Sequence, residues 1–251
     1  MNRSGQIAIF VIVGLLIVAA ILFIFLIDRT PSITRGQDLD NPESFIDNCI
    51  KEQASKEIVN LLSHGGFPDS TDNVLYNGLA IPYLCKNINY YQPCIAQYPR
   101  YVTEIKNEIL RNFEDDVEQC FASLEQDLIS RNYIVDAGPI TLTAEIKPEI
   151  VHVGIERPFT ITKGGSSRKY ERFDVFVNTY LYEVSSIAQE IVSQEAKFCY
   201  FSNDGFMALY NDFDIVRDVL GESTKIYTIK HKKNGEALTM AIRGCAIPLG
   251  F

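Results

Sequence analysis

A run of apolar residues near the N-terminus constrains this chain more than any other feature of its sequence. It begins at Ile7 and ends at Ile27, spans 21 residues without a charge, and contains nothing more polar than Gly14. A bilayer core about 30 Å thick is crossed by about 20 helical residues. Backbone groups inside that core can bond only to one another, which favours a helix. The sequence therefore predicts one transmembrane helix that places residues 7–27 in the lipid bilayer.

Two other interpretations of this run fit less well. A secretory signal has an apolar core of about 7–15 residues that ends in small residues, whereas this run is longer and ends in Phe-Ile-Phe-Leu-Ile. A buried helix of a soluble domain is rarely apolar on every face. Arg3 precedes the run, while Asp28 and Arg29 follow it and cancel. The positive-inside rule then predicts a cytoplasmic N-terminus and an extracellular C-terminal ectodomain.

The four residues ahead of the run, Arg-Ser-Gly-Gln at positions 3–6, resemble the class III leader of archaeal type IV pilin-like proteins. In that family a membrane peptidase cuts between the Gly and the Gln, and the apolar helices pack in a filament core. The resemblance implies cleavage between Gly5 and Gln6 and assembly through the helix of residues 7–27. It covers about a tenth of the chain, and Phe10 stands where many members carry Glu. The alternative is an uncleaved membrane anchor.

The charge of the ectodomain excludes several kinds of partner. Residues from Asp28 onward carry all 32 acidic residues and 22 of the 23 basic ones, a net charge of −10. Nucleic-acid binding needs basic residues to neutralise phosphates, so it is not expected. Anionic lipid headgroups would also repel this part of the chain. The partner expected is another protein or a second copy of this chain.

Six cysteines predict a disulfide-bonded ectodomain. None belongs to a Cys-x-x-Cys pair and no histidine lies near them at zinc-site spacing, so no metal and no cofactor are expected. An even number of cysteines outside the membrane favours disulfides over reduced thiols. Sequence position suggests the pairs Cys49–Cys120, Cys85–Cys94 and Cys199–Cys245, among 15 possible pairings.

Periodicity predicts an α+β fold in which helices pack on antiparallel meanders and hairpins. Residues 30–41 are polar and contain Pro and Gly, typical of a linker. Apolar residues three and four apart predict helices over residues 42–64, 99–131 and 180–198. Alternation predicts strands over 140–146, 150–162, 170–177, 213–219, 225–230 and 237–243, with an Asn77-Gly78 hairpin joining 73–76 to 79–82. The ectodomain, residues 42–251, is one domain or a helical part (42–131) and a β-rich part (132–251).

No motif for catalysis rises above chance. Ser-Ser-Arg-Lys at positions 166–169 matches Ser-x-x-Lys, but it lies in a predicted turn without companion motifs. Asn211, Asp212, Asp214 and Asp218 lack the Gly and terminal Glu of a calcium loop. The chain is therefore not expected to be an enzyme, and no small-molecule substrate is evident.

Six tyrosines provide the predicted binding surface, because tyrosine is favoured in protein contacts. They are Tyr76, Tyr83, Tyr90, Tyr91, Tyr98 and Tyr101. The other interpretation is that these rings cover the hairpin and the helix. The leading hypothesis is a non-catalytic, membrane-anchored cell-surface protein whose ectodomain contacts another surface component. The alternatives are a pilin-like filament subunit and, less favoured, an anchored enzyme.

Overall fold

A computed structural model describes residues 41–89, 91–221 and 223–244 of the chain. The predicted membrane helix, the Gly5–Gln6 cleavage site and residues 30–40 of the linker lie outside these residues. Within the described ranges, no helix combines the length and the apolar character needed to cross a bilayer. Residues from Asn41 onward form one compact unit.

Four helices and ten strands make up the described part of the chain. In order they are α1 (Pro42–Ser63), β1 (Asn73–Tyr76), β2 (Leu79–Lys86), β3 (Ile95–Ala96), α2 (Tyr101–Ser130), β4 (Ile134–Ala137), β5 (Thr141–Lys147), β6 (Ile150–Lys163), β7 (Ser166–Asn178), α3 (Leu181–Phe198), α4 (Asn203–Leu209), β8 (Phe213–Val219), β9 (Thr224–His231) and β10 (Ala237–Arg243). The α+β class predicted from the sequence is thereby confirmed.

The strands form two separate sheets. The larger has the order β1-β2-β10-β9-β8, with the short β3 beside β2. In the smaller, β6 is central, with β4 and β5 along one edge and β7 along the other. All pairings are antiparallel except β2 with β10. Since β2 precedes α2 and β10 ends the described chain, segments 42–131 and 132–251 share one sheet.

Local sequence signals set both ends of helix α1. The side chain of Asn41 accepts a hydrogen bond from the backbone N–H of Glu43 at 3.2 Å, and Pro42 occupies the first turn. The helix stops before Gly65 and Gly66, which both adopt positive φ. A Cβ at Gly66 would lie 2.7 Å from the side chain of Ile105, so glycine also allows α1 to approach α2.

The helices lie against both sheets. Helix α2 buries a stripe that includes Ile105, Phe113, Val117 and Leu124, as the periodicity predicted. Helices α1 and α3 each contact strands of the larger and of the smaller sheet. The hydrophobic core therefore runs from one sheet to the other through the helices.

Two of the three predicted disulfides are confirmed. Cys49 and Cys120 join α1 to α2 with their Cα atoms 5.9 Å apart. Cys85 and Cys94 close the loop between β2 and β3 with a Cα separation of 5.3 Å. The third prediction, Cys199–Cys245, involves a residue outside the described ranges.

Candidate functional site

Two of the six tyrosines are core residues, which corrects their assignment to a contact surface. Tyr101 is buried and its hydroxyl donates to the carbonyl of Gly65 at 2.8 Å. Burial also raises the pKa of Tyr101 above its ordinary value. Tyr83 lies in the core of the larger sheet, with its hydroxyl 3.4 Å from that of Thr224. Both rings face inward because β2 and the first turn of α2 are covered by neighbouring elements.

The remaining described tyrosines differ in their surroundings. Tyr98 stacks on Phe67 with ring centroids 3.7 Å apart. Tyr76 is half-buried and donates to the carboxylate of Asp218. Tyr91 is exposed, and Tyr90 lies outside the described residues. Burial of Tyr83 and Tyr101 therefore removes two members from the predicted surface, and a contact role for the other four stays a prediction.

Neither the Ser-x-x-Lys motif nor the acidic residues considered as calcium ligands form a site in the structure. The Ser-x-x-Lys residues, Ser166 to Lys169, form the start of strand β7, directly after the Gly164-Gly165 turn, and not the turn predicted from the sequence. Over the described ranges, no three His, Cys, Asp or Glu residues come together in a way that could hold a metal ion. Neither feature organises a site.

A groove between α3 and α4 is the strongest candidate for a binding site. Its volume is about 690 Å³, within the range of about 300–1,000 Å³ common for ligand sites. One wall is the row Tyr182, Ser186, Glu190 and Gln194 on α3, spaced by four residues and so aligned on one helix face. Glu183 and Ile187 lie beside that row. The other wall consists of Phe206, Tyr210 and Phe213, from α4 and the start of β8.

Helix α4 is short and depends on its cap and on its aromatic residues. The hydroxyl of Ser202 accepts a hydrogen bond from the N–H of Gly205 at 3.4 Å. Phe201, buried just before the helix, contacts Phe206 at 5.5 Å between ring centroids and Tyr227 at 6.2 Å. Phe206 in turn stacks on Tyr210 at 4.5 Å. A chain of rings thus connects the core to the groove wall.

The same helix covers the open edge of the larger sheet. The side-chain amide of Asn203 donates to the carbonyl of Ile215 at 3.3 Å, and the N–H of Ile215 points at the sulfur of Met207 at 3.2 Å. Strand β8 is the last strand of the sheet, and an uncovered edge invites pairing with other chains. Helix α4 therefore protects the edge and forms the groove wall at once.

Helix α3 is held at both ends, so its groove face is firmly positioned. Near its C-terminus the buried carboxylate of Glu195 accepts two hydrogen bonds from Lys225, at 2.8 and 2.6 Å, and one from Tyr227. Burial, together with the bond to Glu195, raises the pKa of Tyr227. Before its N-terminus, Glu236 accepts from the hydroxyl of Thr179 and from the N–H of Tyr180. A wall fixed in this way needs little ordering when a ligand binds.

The groove is acidic. Glu183 and Glu190 line it, and none of its described lining residues is basic. One oxygen of Glu183 accepts the N–H of Glu149 at 2.9 Å. The other oxygen, Oε2, is buried and has no hydrogen-bond partner among the described residues. Glu190 accepts a hydrogen bond from Gln194 at 2.7 Å.

Comparisons with models of protein families, with curated proteins and with solved structures found no match. The function proposed below is therefore inferred from the sequence and from the residues that line the groove.

Sequence reasoning missed the groove because half of its wall lies on an element that was not predicted. Seven residues, Asn203–Leu209, are too few to show a helical period. A local signal did exist, since Ser202 is a good N-cap and Asp204 lies in the first turn. Tyr182 carried a signal too, because it lies outside the apolar stripe of a helix that the periodicity predicts.

Proposed function

We propose that this protein is a non-catalytic surface protein, anchored by residues 7–27, whose ectodomain holds a segment of another surface protein in the groove between α3 and α4. The observation that carries the proposal is the exposure of aromatic side chains on both walls of that groove. Tyr182 is 37% exposed and Tyr210 is 53% exposed. Large aromatic side chains are the usual anchors of protein interfaces, because they bury much area and lose little entropy.

The polar groups of the groove favour binding over catalysis. Ser186 donates its hydroxyl to the backbone carbonyl of Tyr182 at 2.7 Å, so that hydroxyl is already engaged. None of the described lining residues is His, the side chain that most often transfers a proton in catalysis, and none is Cys or Lys. What the groove offers is apolar ring surface with two carboxylates.

The extracellular location is supported by the sequence and by the cysteines. The apolar run with Arg3 ahead of it favours a cytoplasmic N-terminus. Disulfides persist in oxidising compartments outside the cytosol, and the ectodomain contains the pairs Cys49–Cys120 and Cys85–Cys94.

A photo-crosslinking experiment tests the proposed groove. A photoreactive phenylalanine analogue would replace Tyr210 in the groove or, as control, Phe176, which is exposed on the smaller sheet. We expect a discrete adduct with one surface protein from position 210 and none from position 176. The partner, once identified by mass spectrometry and purified, should bind the Tyr210→Ala variant about tenfold or more weakly. Equal adducts from both positions, or an unchanged affinity, would argue against the groove.

A second candidate function is a pilin-like subunit that assembles through residues 7–27. The observation in its favour is the Arg-Ser-Gly-Gln sequence at positions 3–6. Intact-mass analysis of protein from native membranes tests it. A mature chain that begins at Gln6 would make filament assembly the leading function, whereas a chain that retains its first residues would leave a permanent anchor.

A further inference from the structure

We infer that the segment held in the groove is anchored by a lysine or arginine side chain. This inference rests on the proposed function of the groove and specifies the chemistry of its partner. Two features of the groove favour a basic side chain: its net negative lining and its aromatic rings.

The carboxylates supply the charge complement. Two acidic and no basic residues are found among the described residues that line the groove. Opposite charges at an interface attract and orient the partner, whereas like charges that are brought together oppose binding. An acidic segment would place its carboxylates against Glu183 and Glu190. A basic segment meets attraction from both.

Glu183 supplies a fixed negative charge in the groove wall. Its Oε1 atom accepts the N–H of Glu149, which positions the side chain. Its Oε2 atom is shielded from solvent and has no hydrogen-bond partner among the described residues. A cation in the groove is therefore attracted by the charge of this carboxylate and does not need a hydrogen bond to that oxygen.

The aromatic rings suit the rest of a basic side chain. The aliphatic part of Lys or Arg packs on apolar surface while its charged end reaches polar groups. A cation near an aromatic face is also attracted by the ring. The same chain uses this contact elsewhere, with Arg157 4.5 Å from the ring centre of Phe121 and Lys163 4.4 Å from that of Tyr133. Tyr182 and Tyr210 place comparable rings beside the carboxylates of the groove.

A matched set of peptides tests the inference. The full chain in lipid nanodiscs would be titrated into three fluorescein-labelled peptides of the form Gly-Leu-X-Leu-X-Leu-Gly, with X as Arg, Gln or Glu. Fluorescence anisotropy at low ionic strength reports the affinity. We expect the Arg peptide to bind about fivefold to tenfold more tightly than the Gln peptide, and the Glu peptide to bind most weakly. Added salt should reduce the difference.

Variants of the protein identify the site and its charge. Glu183→Gln keeps an oxygen for the N–H of Glu149 but removes the charge, and it should lower the Arg-over-Gln preference to about twofold or less. Glu171→Gln makes the same change in net charge on β7 of the smaller sheet, and it should leave the preference unaltered. Thermal denaturation of both variants confirms that they fold.

The outcomes separate this inference from the proposed function. If Tyr210→Ala weakens all peptides but Arg and Gln peptides bind equally, the groove binds peptides and the inference of a basic anchor is wrong. Equal effects of Glu183→Gln and Glu171→Gln would also overturn it, since the preference would then come from overall charge. If Tyr210→Ala leaves every affinity unchanged, the groove is not the binding site and the proposed function itself is rejected.

Discussion

At the scale of single residues, the most consequential interaction is the buried ion pair of Glu195 and Lys225. Glu195 is 2% exposed, and its carboxylate is shared by Lys225 and Tyr227. The ammonium group of Lys225 also donates to the carbonyl of Cys199 at 2.9 Å, just beyond α3. The pair links the end of α3 to β9, so the groove wall depends on it.

Removing one member of that pair should destabilise the protein strongly. Glu195→Ala leaves the ammonium of Lys225 and the hydroxyl of Tyr227 without their shared acceptor in a buried site. We expect the free energy of unfolding to fall by about 3–5 kcal/mol, measured by urea denaturation. Glu190→Ala, on the exposed face of the same helix, is the control and should change it by less than about 0.5 kcal/mol. Similar small losses in both variants would show that the pair contributes little.

Asp174 on the smaller sheet predicts a specific pH dependence. A hydrogen bond from Arg172 lowers the pKa of Asp174 below the ordinary value for aspartate, and a bond to His152 acts in the same direction. A lowered folded-state pKa means that the stabilisation is present above the unfolded-state pKa, about 3.9. It is lost as the pH falls through the folded-state pKa. Because the carboxylate is partly exposed, the contribution should stay below about 1 kcal/mol.

An NMR titration of the Asp174 carboxyl group measures this effect directly. In the Arg172→Ala variant the pKa of Asp174 should rise towards the ordinary value. Asp174→Asn should cost stability at neutral pH, and progressively less as the pH falls through the folded-state pKa of Asp174. A pKa that does not respond to Arg172→Ala would contradict the assigned cause.

At the scale of elements, the two disulfides should differ in their contribution to stability. Cys49–Cys120 spans 71 residues and Cys85–Cys94 spans 9. Closing a longer loop removes more entropy from the unfolded chain, which corresponds to about 4 kcal/mol for the first disulfide and about 2.5 kcal/mol for the second. Replacing each pair by Ser in turn and measuring chemical denaturation gives both values. A larger loss for the short loop would mean that native contacts, and not loop entropy, dominate.

The elements that the sequence predicted correctly are those with strong local signals. The apolar stripes of α1, α2 and α3 repeat over at least four turns, and Asn77 and Gly78 both adopt the positive φ that a type I′ turn requires. Helix α4 was not predicted because a helix of about two turns is stabilised mainly by tertiary contacts, here those with Phe201 and with the edge of β8. Periodicity therefore predicted the helix that forms one wall of the groove, α3, but not the helix that forms most of the other wall, α4.

At the scale of the whole molecule, the parallel pairing of β2 with β10 unites the chain. It joins a strand near residue 80 to one near residue 240, and α1 contacts both sheets. The larger sheet therefore takes strands from both the 42–131 and the 132–251 segments, whereas the smaller sheet lies within the second segment alone. We therefore expect the compact unit that begins at Asn41 to unfold cooperatively.

Thermal unfolding tests whether the two segments unfold together. We expect a single cooperative transition, with coincident curves from far-ultraviolet and near-ultraviolet circular dichroism. A fragment of residues 132–251 expressed alone should lack stable tertiary structure, since its larger sheet loses β1, β2 and β3. Two resolved transitions, or a folded fragment, would show that the segments are separate domains.

The sequence by itself determined the features that depend on neighbouring residues: the helical stripes, the hairpin turns, the alternating strands and the α+β class. The membrane anchor over residues 7–27 and its leader are predictions of the same local kind. Only the tertiary structure decided that the strands divide into two sheets, that Tyr83 and Tyr101 are buried, and that α4 meets α3 across an acidic aromatic groove. These features depend on contacts between residues far apart in the chain, and local periodicity shows which face of an element is apolar but not which partner will cover it.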